Sequence, residues 1–426
     1  MNETSAPAAT YRLQFNSEFR FSHAIELIEY LAKLGITDIY ASPILTSRKS
    51  SRHGYDLTDP TQIDPDIGSL QEFEQFQDEL LKHGMRVILD IVPNHMAASS
   101  ENRWWMDVLE SGRESNYASF FDIDWIPPSR SLEGKVLLPV LGRPFGEVLD
   151  RGELKLVFQS GKFVVKYFES AFPLAPSTYH RILGHRVDEL KEWLSEDSAA
   201  FQEYSGIIAG LLLFSEPAQI GAPALAERRV RLDEMSARLQ GLLASDPRIS
   251  KFIDKNIADF NGTPGDAASL CSLEHLLDEQ KFRLAYWLDP NEGINYRRFF
   301  AISDLVGVRV EDTLVFSAIH DQILRLMSKG AIRGVRVDHI DGLRDPVGYL
   351  SRLQERLLSA LPPDSSRPFV WVEKILSPSE VLPEDWQTAG TTGYEYLNAA
   401  NGLFVSATGA ECLRGAYLEF IGKPRD

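Results

Sequence analysis

The sequence predicts an α/β protein of the (β/α)8 TIM-barrel type, incomplete at its C-terminus and carrying a large inserted domain after strand 3. Three observations carry that expectation. Apolar strands alternate with amphipathic helices over residues 10–95, and again from about residue 311. The rhythm is broken over residues 96–300, a span far too long for a structureless connection. Three of the core strands are apolar along their length and then end in charged groups, which fits a fold whose active site collects residues from several strand ends.

The elements follow in order. Residues 10–15, "TYRLQF", read as the first strand. Phe21, Ile25, Ile28 and Leu31 recur at helical spacing, with Gly35 as a stop. "ITDIYASP" (36–43) is the second strand. Leu70, Phe73, Phe76 and Leu80 mark the next helix, and "MRVILDIVPNH" (85–95) the third strand. Unbroken apolar strands between helices indicate a parallel sheet covered on both faces. Residues 96–175 are rich in aromatics, Pro and Gly, with β-like runs "KLVFQS" and "FVVKYF"; residues 186–260 are mainly helical, with Leu232, Met235, Leu239 and Leu242 as one stripe. Alternation resumes with a helix through Val315, Ile319, Ile323 and Leu326, then strand "GVRVDH" (334–339), a helix through Leu350, Leu353 and Leu357, and strand "FVWVEKI" (369–375). "TTGYEY" (391–396) is the candidate sixth strand. The expected organisation is therefore 1–95 as the first part of a barrel, 96–300 as inserted mixed and helical subdomains, and 301–426 as the barrel's continuation. A doubly wound sheet is the alternative, weakened because no G-x-G-x-x-G follows the first strand.

Composition narrows the function. A formal charge of −17 disfavours nucleic acid and anionic membranes and suits a neutral substrate such as a sugar. Two cysteines, Cys271 and Cys412, form no disulfide framework and no metal spacing. With no bilayer-length apolar run and no signal-peptide pattern in residues 1–9, a cytoplasmic location is expected. Asp90, Asn94 and His95 lack the spacing of a metal site, so neither metal nor cofactor is expected.

Strand ends carry the chemistry. In the fourth strand Arg336 and Asp338 share one face, opposite Val335 and Val337. An Arg beside a carboxylate favours its ionised form, so Asp338 is expected to have a lowered pKa and to serve as a nucleophile. Glu373 in the fifth strand is the candidate proton donor, which requires a raised pKa. Two such carboxyls about 5–5.5 Å apart make a retaining glycosidase. Taken singly, each residue has an ordinary explanation: Arg-x-Asp as a surface pair, Glu373 as an edge charge, His95 as a hydrogen-bonded core histidine. Three strands ending alike outweigh those readings. Trp104, Trp105, Trp125, Tyr55 and Tyr117 are candidate sugar-stacking rings, although most aromatics are core.

The segments "DIVPNH" (90–95), "GVRVDH" (334–339), "WVEKI" (371–375) and "GYDLTDP" (54–60) resemble the signature segments of the α-amylase family of glycoside hydrolases. "LPVLGRPFG" (138–146), "RLAYW" (283–287), "INYRRFF" (294–300) and "TTGYEY" (391–396) resemble a trehalose-forming branch of that family. The resemblance implies an intramolecular transglucosylation in which the reducing-end α-1,4 bond of a maltooligosaccharide becomes an α,α-1,1 bond. It implies Asp338 as nucleophile and Glu373 as acid/base, with Arg336 orienting Asp338. His95 and Tyr55 would contact the donor sugar, Asp90 would shape the end of strand 3, and His339 and Lys374 would line the acceptor side. A functional link to a trehalose-releasing hydrolase is implied too. The family's His-Asp pair near a seventh strand is not found, since no histidine follows His339. The chain is therefore expected to match the N-terminal part of such an enzyme. A hydrolase or 4-α-glucanotransferase, and an inactive α-glucan-binding fragment, are the competing expectations.

Overall fold

Strand order decides between the two architectures that the alternation allows. The computed structural model describes residues 6–159, 161–215, 222–288, 293–361 and 367–423. Its central sheet has six strands: β1 (Thr10–Leu13), β2 (Asp38–Ala41), β3 (Arg86–Ile91), β4 (Ile332–Val337), β5 (Phe369–Val372) and β6 (Gly390–Thr391). They pair in chain order, and every pair is parallel. A doubly wound sheet reverses its order at a switch point, whereas a barrel wall does not. The sheet is the wall of a TIM-barrel-like fold. β1 and β6 are its two ends, and no pairing joins them among the described residues. A cavity of about 350 Å³ lies between those ends, lined by Thr10, Tyr40, Ile88, Trp371 and Thr391 among others.

Helices cover the outer face. α1 (Phe21–Lys33) buries Phe21, Ala24, Ile28 and Leu31, and α2 (Leu70–Lys82) buries Phe73, Phe76 and Leu80. Ser69 and Glu72 cap α2 reciprocally, so its first turn is satisfied without help from the core. Asp312 caps α3 (Thr313–Met327), and Asp345 caps α4 (Pro346–Ala360), whose proline sits where no amide hydrogen is needed. Gly334 lets β4 and β5 approach closely, because a Cβ there would stand 2.0 Å from the Phe369 carbonyl oxygen. The last two helices are α5 (Tyr394–Gly402) and α6 (Ala407–Phe420).

Between β3 and β4 the chain builds a three-stranded antiparallel sheet from 154–159, 162–167 and 170–173, and helices that include Ala199–Leu212, Pro247–Asn261 and Ala267–Asp278. The stripe with Leu239 and Leu242 is buried on helix Ala222–Ser245. No helix among the described residues is long and apolar enough to cross a membrane.

Three expectations need correcting. "TTGYEY" contributes only Thr391 to the two-residue strand Gly390–Thr391; Gly393 at φ +89° turns the backbone and α5 starts at Tyr394, so β-favouring Thr and Tyr lose to the turn. The third strand ends at Ile91 rather than continuing to His95. Pro93 intervenes, and His95–Ala97 forms a separate strand antiparallel to Ile302–Gly307. Between β2 and α2 the chain forms an unanticipated antiparallel pair, Leu45–Ser47 with Leu57–Ile63.

Candidate active site

The ladder of the sheet continues past the strand ends and fixes the acids. The amide of Asp338 donates to the Ile91 carbonyl at 2.9 Å, and that of Glu373 to the Val337 carbonyl at 2.9 Å. β3, β4 and β5 therefore set the heights of Asp90, Asp338 and Glu373 through backbone register, and Arg336 lies directly beside Asp90 in the register of β4 on β3. The guanidinium of Arg336 closes the group. Its Nη1 lies 2.7 Å from Asp90 Oδ1 and 2.7 Å from Asp338 Oδ1, and its Nη2 lies 3.1 Å from Glu373 Oε1. One buried cation thus touches all three carboxylates.

Asp90 is a hub. Besides Arg336, its Oδ2 accepts from Tyr55 Oη at 2.5 Å, Tyr40 Oη at 3.0 Å and Arg12 Nη1 at 3.0 Å. Arg12 also donates to Tyr55 Oη and lies over the Tyr40 ring. Arg12 and Tyr40 were missed in the sequence, although the signal was present. Thr10, Arg12 and Gln14 alternate on one face of the first strand just as Arg336 and Asp338 do in the fourth.

His339 follows Asp338 in a left-handed conformation, φ +49°, which turns its amide onto Glu373 Oε2 at 3.0 Å. Glu373 is thereby held at both oxygens. His95 is buried, 4.4 Å from the Phe299 ring, and burial pushes its imidazole down to about 3, so it is neutral. Lys374 points away from the carboxylates to Glu380 at 2.7 Å and Asp341 at 3.3 Å. Of the eight residues singled out from the sequence, Asp90, Arg336, Asp338, Glu373 and Tyr55 form one hydrogen-bonded group. His339 joins it through its own backbone, His95 through the backbone of Tyr55 while packing on Phe299, and Lys374 stands apart. Among the aromatic candidates, Trp105 is core, and Trp104 stacks on Tyr117 at 5.3 Å.

The expected lowering of the Asp338 pKa is wrong in sign. Burial raises it, Arg336 opposes that rise, and the nearby charges of Asp90 and Glu373 add to it, leaving the carboxyl at about 7. The Arg-x-Asp pair is real, but its cation is shared with two other acids in a desolvated place. The assembled site thus raises the proton affinity of Asp338.

The catalytic domain of α-amylase, as a family, matches residues 23–148. A putative maltooligosyl trehalose synthase of Mycobacterium tuberculosis is 31% identical over 416 residues, covering 94% of this chain and 39% of the relative. The solved structure of maltooligosyltrehalose synthase from Arthrobacter ramosus superposes with a TM-score of 0.69 at 31% identity, covering 99% of this chain and 41% of that one. A neopullulanase of Thermoactinomyces vulgaris is 38% identical over 107 residues, 25% of this chain and 18% of the relative. The chain spans about two fifths of the length of the first two.

Proposed function

We propose, from the premise that this chain is a relative of the maltooligosyl trehalose synthases of the α-amylase family, that its site transfers glucosyl units within maltooligosaccharides and forms an α,α-1,1 bond at the reducing end. The carrying observation is the grouping of Asp90, Asp338 and Glu373 on one guanidinium at the ends of three adjacent strands. In this reading Asp338 attacks the anomeric carbon of the second-last glucose, and Glu373 protonates the departing 4-oxygen. The glycosyl-enzyme then accepts the anomeric hydroxyl of the same released glucose, with Glu373 now taking the proton. Two inversions keep the α configuration. Arg336 orients both acids, while Tyr55, Asp90 and His95 shape the donor side. His339 and Lys374 belong to the acceptor side, His339 through its hold on Glu373. The segment 96–300 is the wall that keeps water from the intermediate. No cofactor enters the scheme, and a trehalose-releasing hydrolase would consume the product.

The test is product analysis. The chain is incubated with maltopentaose, and loss of reducing ends is compared with release of glucose. The proposal expects a non-reducing product from the parent and none from Asp338→Asn or Glu373→Gln. Reducing products alone would favour a hydrolase or 4-α-glucanotransferase. One observation favours a second reading, an α-glucan-binding protein without turnover: among the described residues the central sheet has two unpaired ends with a cavity between them. Glucan affinity equal in the parent and both variants, with no product from any, would support that reading.

A further inference from the structure

The run Ile294–Phe300 joins the segment before β4 to the catalytic end of the sheet, and nearly all its side chains have internal partners. Asn295 accepts from the Leu137 amide at 3.0 Å and donates to the carbonyls of Asp124 and Lys135 at 2.8 Å each. Tyr296 is buried against Trp105. Arg297 ties the run to Asn94 Oδ1 at 2.5 Å, to the Val308 carbonyl at 2.7 Å and to the Gly342 carbonyl at 3.2 Å. Arg298 donates to Ser303 Oγ at 3.0 Å. Phe299 is wedged between His95 and His339, 4.4 and 4.7 Å from their ring centres.

Phe300 differs. It is 72% exposed, and its backbone is left-handed at φ +50°. That conformation disfavours a side chain of this size, and little burial offsets it. Its ring centre lies 4.9 Å from that of His339, which is also left-handed and whose amide holds Glu373. Strained residues of this kind gather where function requires them. Two of them meet beside the acid/base.

We propose that Phe300 is a sugar-stacking residue on the leaving-group side of Glu373, offering its free ring face to the glucose unit released from the chain while that unit turns. The proposal deepens the reaction proposed above and rests on it for the identity of the bound sugar. Arg297, tied to three partners, and Phe299, wedged between two histidines, anchor the backbone from which the ring projects. His339 and Phe299 flank it, with ring centres 4.9 and 4.6 Å away, and most of its surface meets solvent.

Two readouts test it. With maltopentaose, Phe300→Ala and Phe300→Leu should raise the ratio of free glucose to non-reducing product by roughly threefold to tenfold, as expected for one lost aromatic contact. Phe300→Tyr should stay within about twofold of the parent. An unchanged ratio in Phe300→Ala overturns the proposal. The second readout needs no turnover: D-glucose is titrated into Asp338→Asn protein with and without Phe300→Ala. Weakening by a similar factor supports the platform even if no trehalose-type product forms, and equal affinity overturns it. Phe300→Gly separates stacking from packing. A thermal midpoint equal to or above the parent's, with glucose retention lost, is expected; a clearly lowered midpoint would mean that the ring only packs the loop, and would overturn the proposal.

Discussion

The first four strands with their helices and the stretch from β6 to α6 both carry large apolar side chains and use them in opposite ways. In the first region Phe15, Phe21, Phe73 and Phe76 meet at ring distances of 4.9 to 6.2 Å and are fully buried. In the second, α5 buries no residue and α6 only Gly415, while Leu403, Phe404, Leu413 and Phe420 are 84%, 89%, 75% and 88% exposed. Hydropathy alone does not separate the two. A partner element does, because burial energy is gained only where a second surface removes the water. The site stands at the border: Asp90 and Asp338 belong to the closed region, and Glu373 to the strand just before the open one.

The largest effect is expected from Arg336→Met, which leaves three acids without their shared cation. It should destabilise the protein by about 3–5 kcal/mol at neutral pH and abolish turnover. Thermal unfolding at pH 7 and pH 5 checks this, and a loss that does not shrink at pH 5 would refute the charge argument. Phe76→Ala should cost about 3–5 kcal/mol through its cavity, whereas Phe404→Ala should stay within about 0.5 kcal/mol. Equal losses would erase the contrast between the regions. Gly334→Ala should force β5 away from β4, lowering kcat more than glucan affinity, because Glu373 rides on β5.

Asp338 couples stability to pH. Its folded pKa, about 7, lies above the ordinary value of 3.8, so the native state holds a proton that the unfolded state has lost. Stability from this group is full below pH 3.8 and declines as pH rises towards 7. Asp338→Asn should therefore gain on the parent between those limits and hold a constant advantage above them; an advantage that shrinks with rising pH would reverse the assignment. In its proposed role as nucleophile, Asp338 should also place the acid limb of kcat/KM near 7 rather than near 4. The smallest effect concerns the open region: limited proteolysis should cut within 394–423 before any site in α1 to α4.

Much of the closed region could be read from the sequence because its elements have a buried face, and a buried face leaves a period. The grouping of the acids could be read because three apolar strands end alike in charge, which outweighs the ordinary explanation each residue has alone. Arg12 and Tyr40 escaped because each is a single polar group on a four-residue strand, and the carboxylate they bind belongs to a third strand. Asp338's proton affinity escaped for a different reason: its causes, Asp90 and Glu373, come from other strands, and desolvation belongs to the assembled site. At Gly393 a left-handed turn overrode two β-favouring residues, a decision made by backbone geometry rather than by composition.

Arg336 and Arg12 set two guanidiniums against three carboxylates, one negative charge in excess. Resting, the site can cancel that excess with the proton that Asp338 holds. Once Asp338 is ionised the pocket is under-neutralised, and what would complete it is a guest that turns positive at carbon during bond breaking. An oxocarbenium-like centre has that property, and an intact glucan or finished product does not. The electrostatic deficit thus discriminates by charge development in time, favouring the crossing over either shore.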